Sequence, residues 1–251
     1  MKAIVLAAGK GKRLQSEKFN LPKVLRNACG KPLISHVLDN IKFIKQEDTC
    51  IVVGYKKEMV QEAVRGKYVY ASQDEQLGTG HAVMMAEPFF QDYDGDILVL
   101  YGDMPLFREE TYKKILEVHA KENADCTIMT AIVENPPDYG RIIRDDDGRI
   151  IDIVEKRDCT PEQLKINELN VGIYVFRSRL LFESLKKLDN NNNQKEYYLT
   201  DVPKILIQDG KKVASFTIES SDEIYGVNTV EDLEFCEKIL RDRSSQQMNT
   251  Q

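Results

Sequence analysis

Apolar and polar positions along the chain change between two periods. Lys2-Ala3-Ile4-Val5-Leu6-Ala7 is a short apolar run that ends against glycines, which predicts a buried first strand. Leu33, Ile34, Val37, Leu38, Ile41 and Ile44 recur at helical spacing and predict a helix over 33–44. A second strand is expected over 50–54, a short helix over 57–65 and a third strand over 67–71. Helical spacing returns over 80–90, Asp96-Ile97-Leu98-Val99-Leu100-Tyr101 is the strongest strand pattern, and 109–121 reads as another helix. Alternating strands and helices imply an α/β fold, with a Rossmann-like, mainly parallel sheet flanked by helices.

From residue 126 the pattern differs. Segments 126–133, 141–144, 150–155 and 169–176 are strand-like, with little helix between them. Asp145-Asp146-Asp147-Gly148 between Ile142-Ile143 and Ile150-Ile151 predicts a hairpin. A β-rich extension of the same sheet is expected. Helices are expected over 178–188 and 200–207, and a final one from Thr229-Val230-Glu231-Asp232, which has a capping-type start. The polar stretch 243–251 is expected to fray. The organisation implied is one domain over 1–229, in halves 1–125 and 126–229, then a helix and polar tail over 230–251.

Composition narrows the function classes. The 251 residues carry 35 Lys+Arg against 41 Asp+Glu, which argues against a chain-wide nucleic-acid or membrane-surface role. The apolar run near the N-terminus is too short for a signal-peptide core or a membrane span. Five scattered cysteines form no CxxC pair, so reduced thiols and a cytoplasmic setting are expected. Asp145–Asp147 lacks the later glutamate of a calcium loop. His36 and His119 are expected at helix surfaces or core edges, and His81 in a capping or packing role.

Leu6-Ala7-Ala8-Gly9-Lys10-Gly11-Lys12-Arg13-Leu14 follows the first strand. Glycines expose backbone N–H groups to an anion, and Lys and Arg add countercharge. Leu14 stands where a dinucleotide fingerprint needs glycine, and the spacing is wrong for a P-loop. A phosphate-binding turn and a plain βα turn both stay open on this segment alone.

Further segments add to it: Leu21-Pro22-Lys23-Val24-Leu25, Gln76-Leu77-Gly78-Thr79-Gly80-His81-Ala82, Tyr101-Gly102-Asp103, Tyr139-Gly140-Arg141-Ile142, Ile153-Val154-Glu155-Lys156, Leu169-Asn170-Val171-Gly172-Ile173, Glu196-Tyr197-Tyr198-Leu199-Thr200-Asp201 and Gly226-Val227-Asn228. In this order they resemble the sugar-phosphate nucleotidylyltransferases, above all the N-acetylglucosamine-1-phosphate uridylyltransferases. The likeness runs from the first strand to about Asn228. It implies the nucleotide-diphospho-sugar transferase fold, UTP and a sugar 1-phosphate as small-molecule partners, and Mg²⁺ as cofactor.

The resemblance also implies roles. Leu6, Ala7, Ala8 and Gly9 would hold the nucleoside through the backbone, with Gln73, Gly78 and Thr79 around the base. Gly11 and Arg13 would face the departing phosphates, and Lys23 the α-phosphate. Asp103 and Asn228 would hold Mg²⁺; Arg13, Lys23 and Asp103 form the catalytic set. Gly140, Glu155, Asn170, Tyr198 and Thr200 would hold the sugar phosphate. The chain departs from the family at Lys12, in the longer stretch 15–20, and at Val171, which replaces a usual threonine near the acceptor. Glucose 1-phosphate, dTTP and a non-catalytic sugar-nucleotide regulator stay open as alternatives. Nothing after Asn228 reads as the hexapeptide repeats of the bifunctional relatives, so acetyl transfer is expected to be absent from this chain. No feature of the sequence sets an oligomeric state.

Overall fold

The computed structural model describes residues 1–14, 20–134 and 136–248. In chain order the elements are β1 (Lys2–Ala7), β2 (Asn27–Ala28), β3 (Lys31–Pro32), α1 (Leu33–Asn40), β4 (Thr49–Val53), α2 (Lys57–Ala63), β5 (Val69–Ser72), α3 (Thr79–Met84), β6 (Asp96–Tyr101) and α4 (Glu109–Glu122). They continue as β7 (Cys126–Ile132), β8 (Gly140–Arg144), β9 (Ile150–Val154), β10 (Glu168–Arg177), α5 (Ser178–Leu185), α6 (Asp201–Gln208), β11 (Val213–Thr217) and α7 (Val230–Met248).

One sheet organises the molecule, in the order β11-β7-β10-β6-β1-β4-β5, with the β8–β9 hairpin attached to β10. β1 pairs in parallel with both β4 and β6, and β4 with β5. β10 is antiparallel to both of its neighbours, β6 and β7, while β11 and β7 are parallel. Along this path, then, only β10 runs against the others. The expected mainly parallel α/β sheet is what the chain forms. The chain leaves β1 towards β4 and β5, then returns to the other side of β1 as β6. Such a reversal opens a crevice at the carboxyl ends of the two central strands, and Ala8 and Asp103 follow those ends.

Both faces of the central strands are buried, because residues alternate sides with a period of two. Ala3, Val5 and Ala7 join Leu98 and Leu100 in one core; Ile4 and Leu6 join Ile97 and Val99 in the other. A third cluster centres on Leu14, Leu33, Leu106, Val227, Leu233 and Cys236, and seats α7 against the glycine loop.

Several expectations are corrected. The helix over 33–44 stops at Asn40, and buried Ile41 and Ile44 are carried in turns instead. The pattern over 80–90 divides into α3 and a 3₁₀ turn at Glu87–Phe89, where Pro88 cannot continue an α-helix. The 178–188 helix ends at Leu185. β11 has no counterpart among the expected strands: it is a half-buried edge strand with no clean alternation. Of the two places expected for His119, helix surface or core edge, the surface is excluded: it is buried at 2% exposure between Thr127 and Asp96. The stretch expected to fray from 243 is helical through Met248, and Arg243 Nη1 donates to Leu106 O at 2.6 Å. Residues 249–251, and 15–19 of the long stretch, lie outside the described residues. Among the described residues no helix is long and apolar enough to cross a membrane.

Candidate active site

Two adjoining cavities open at the carboxyl edge of β1 and β6. The first, of about 350 Å³, is lined by Leu6, Ala7, Ala8, Gly9, Gly11, Arg13, Lys23, Gln73, Gly78 and Thr79, among others. The second, of about 240 Å³, is lined by Gly140, Glu155, Asn170, Tyr198 and Thr200, with Tyr139 and Val171. Thr79, Tyr101, Asp103, Glu196 and Asn228 belong to both walls. Every residue singled out for the nucleotide therefore lines one cavity, and every residue singled out for the sugar phosphate lines the other.

The glycine loop is pinned at both ends. Gly102 N donates to Leu6 O at 2.9 Å and Tyr55 N to Ala8 O at 3.2 Å. Leu14 is buried in the third cluster, so it anchors the loop where a dinucleotide fold would have glycine. Of the basic residues, Arg13 and Lys23 reach the cavity wall. Lys10 is exposed and is not part of the lining, and the Lys12 side chain lies outside the described residues.

Lys23 starts a 3₁₀ turn behind Pro22, with Leu25 N donating to Pro22 O at 3.0 Å. Its ammonium reaches across the cavity junction. It donates to Asp103 Oδ2 and, at 2.8 Å, to Asn228 Oδ1. Arg13 Nη2 also donates to Asn228 Oδ1, at 3.3 Å. Residues 215 positions apart thus meet at one point. Asn228 is held there by the start of α7. Asp232 Oδ2 accepts the N–H groups of Asn228 and Thr229, both at 2.8 Å, while Asp232 N donates to Thr229 Oγ1. That reciprocal arrangement is a capping box, as the sequence pattern predicted. Val227 N donates to Asp103 O at 3.0 Å and ties this segment to the end of β6.

On the base side, Gln73 is 3% exposed. Its Nε2 donates to Gly78 O at 2.9 Å and to His81 Nδ1 at 3.1 Å. A carbonyl can only accept, so the Gly78 contact fixes which end of the amide is nitrogen. Both amide hydrogens are then spent, and Oε1 is left as an acceptor for the cavity. Gly78 has φ +112°, and a Cβ there would lie 2.5 Å from Tyr197 O. Only glycine lets this turn pass so close to the 196–199 segment. Gly80 N to Tyr197 O, Tyr197 N to Leu77 O and Leu199 N to Thr79 Oγ1 bind the two segments together.

The second cavity is acidic and hydroxyl-rich. Glu155 Oε1 accepts from Thr200 Oγ1 at 3.1 Å. Burial raises the Glu155 carboxyl above its ordinary range; the Thr200 bond opposes this and Asp201, Asp158 and Glu196 reinforce it. Burial also pushes the Tyr198 phenol up to about 12, and Gln194 Nε2 donates to its oxygen at 2.9 Å. Tyr139 O–H donates to Ile224 O at 2.6 Å and accepts from Gly226 N at 3.1 Å, which ties β8 to the segment carrying Asn228. No Lys or Arg lines this cavity.

The profile of the nucleotidyl transferase family matches residues 2–224. The chain belongs to the nucleotidyl transferase family. It is 48% identical over 240 residues to the bifunctional protein GlmU of Clostridium novyi, covering 95% of this chain and 52% of that protein. It is 43% identical over 245 residues to bifunctional GlmU of Geobacillus thermodenitrificans, covering 98% and 53%. The chain thus spans about half the length of these curated relatives. A solved UDP-glucose pyrophosphorylase complexed with UDP-glucose shares the fold at TM-score 0.77 and 19% identity, over 96% of this chain and 98% of that one.

Within this nucleotidyl transferase chain, Tyr101 and Glu196 have no role implied by the resemblance, yet both wall the two cavities. Both lie inside the sequence motifs, but nothing in a linear motif says that two cavities share a wall. Asn228 lies just beyond the matched region. Among the described residues no three His, Cys, Asp or Glu side chains converge as a metal cluster. Asp103 and Asn228 instead offer one carboxylate and one amide oxygen, and a cationic group, the Lys23 ammonium, already sits between them. That pair fits a hard ion that keeps water and substrate phosphate as its remaining ligands.

Proposed function

We propose that this chain transfers a uridylyl group from UTP to N-acetylglucosamine 1-phosphate, giving UDP-N-acetylglucosamine and pyrophosphate, with Mg²⁺ as cofactor. The reading rests on the junction of the two cavities, where Arg13, Lys23, Asp103 and Asn228 meet. The acceptor cavity has no cationic lining, so a sugar 1-phosphate is stable there with its sugar inward and its phosphate turned to Arg13 and Lys23.

In the reaction a phosphate oxygen of the acceptor bonds to the α-phosphorus of UTP. The bond from that phosphorus to the bridging oxygen breaks, and pyrophosphate leaves. A phosphate monoester is already anionic near neutral pH, so no side chain need act as base. The barrier is the meeting of two anions. Lys23 is within reach of the junction to lower it at the α-phosphate, and Arg13 at the departing phosphates. Asp103 and Asn228 would hold Mg²⁺, which supplies charge neutralisation on the phosphates when bound. Gln73 Oε1 accepts from a base carrying N–H at position 3, which uracil and thymine have and cytosine lacks. Glu155, Asn170, Tyr198 and Thr200 bond the sugar hydroxyl and amide groups. The N-acetyl group itself is carried over from the resemblance and from the relatives named above. A cytoplasmic setting, where its five thiols stay reduced, belongs to the same reading.

The test is pyrophosphate release over a panel of UTP, dTTP and CTP against N-acetylglucosamine 1-phosphate and glucose 1-phosphate. The first nucleotide and first sugar should turn over fastest, CTP should not react, and chelator should abolish release. No release with UTP and any hexosamine phosphate would sink the substrate assignment. An undiminished rate in chelator would sink the metal.

A further inference from the structure

β10 does not pair regularly with β7. Asn170 faces Thr130, yet four residues later Tyr174 faces Ile128, only two residues back. Two residues are therefore looped out of the ladder, and the bulge forms part of the acceptor cavity wall through Val171 and Gly172. Gly172 has φ +86°, and a Cβ on it would lie 2.7 Å from the Tyr101 ring. The shared wall of the two cavities thus presses directly on the bulge.

Asn170 spans this bulge with both ends of its amide. Oδ1 accepts from Gly172 N at 3.2 Å, and Nδ2 donates to Tyr174 Oη at 2.7 Å. A backbone N–H can only donate, so the amide orientation is fixed by the network. One Nδ2 hydrogen and one Oδ1 lone pair remain for a ligand. Tyr174 itself is fully buried, stacks on Phe176 at 5.3 Å between ring centroids, and lines neither cavity.

We propose that Tyr174 is a positioning residue for acceptor recognition. Its hydroxyl aims the Asn170 amide into the sugar cavity from beneath, without touching substrate. This rests on the acceptor reading of that cavity. Without the hydroxyl, Nδ2 would lose a buried partner and the amide would be held by the Gly172 N–H alone, while the aromatic packing of Tyr174 would be kept.

The experiment is Tyr174→Phe, read two ways. The first readout needs no substrate: exchange of the Asn170 side-chain NH₂ protons, followed by NMR in the whole chain. Exchange should be roughly three- to tenfold faster in Y174F, since one of the two hydrogen bonds that hold the amide is gone. The second is steady-state kinetics. KM for the sugar 1-phosphate should rise roughly three- to tenfold, with KM for the nucleotide and kcat unchanged. In an Asn170→Ala background, Y174F should add nothing to the acceptor KM, because the group it positions is gone. Unchanged amide exchange would overturn the proposal, as would an unchanged acceptor KM or equal rises for both substrates. If the wild-type chain turns over no member of the panel, the substrate assignment fails, and amide exchange alone decides whether Tyr174 orients Asn170.

Discussion

The two cavities are built from different material. The nucleotide side is walled by main chain at the end of β1 and by the glycine turns at Gly11 and Gly78, with Arg13 and Lys23 at its mouth. The acceptor side is walled by side chains from β10 and from the segment before α6, several of them buried: Asn170, Tyr198 and Thr200. Backbone groups can bind a ligand common to many relatives without dictating side-chain identity. Buried side chains reject a ligand that leaves them unpaired, and so they set specificity. The nucleotide half should therefore be the fixed part of the chemistry and the acceptor half the adjustable one. The cavities also differ in charge: Arg13 and Lys23 line one, and no Lys or Arg lines the other.

The strongest test of that division is at the junction, where both cavities should fail together. Asp103→Ala should lower turnover by about 10²–10³-fold with every substrate pair, measured as pyrophosphate release. A loss confined to one acceptor would show that the junction is not shared. Next, Asn170→Ala should raise the acceptor KM by about tenfold and leave the nucleotide KM alone. A matching rise for UTP would erase the distinction between the halves. Gly78→Ala bears on both sides, since the turn at φ +112° is clamped against Tyr197. It should cost about 1–3 kcal/mol in denaturant unfolding and raise both KM values.

The smallest effect concerns the acid cluster behind the acceptor cavity. Burial pushes the Asp201 carboxyl up to about 6; Lys204 opposes the shift, and Asp152, Asp189 and Asp158 add to it. The folded state then disfavours the charged form, relative to an unfolded value near the usual 3.9. The cost is full above pH 6 and gone below about pH 4. Asp201→Asn should raise Tm at pH 7 and change it little at pH 4. A gain that persists at pH 4 would point away from titration of this group.

Much of this was legible along the chain, and the reasons can be read from particular residues. β1 and β6 are continuous apolar runs because both their faces are buried, so their ends, and with them Ala8 and Asp103, were marked in one dimension. The start of α7 carried its own capping residues, Thr229 and Asp232. β11 was hidden because an edge strand is covered on only part of its surface and keeps polar residues. Which of its two expected places His119 takes was not legible, because its burial depends on Asp96 and Thr127, which reach it from β6 and β7.

The pattern along the chain predicted an α/β fold, and the order of its motifs pointed by resemblance to the family that the comparisons then showed. The elements themselves follow from local rules: runs of apolar residues, glycines where the backbone must turn, and caps beside helices. What only the tertiary structure decided is which side chains meet. Lys23, Asp103 and Asn228 converge because parallel strands return their ends to one edge and α7 folds back onto that edge. The two-residue bulge that sets Asn170 against Tyr174 has no local signature, because it exists only in the register between β10 and β7.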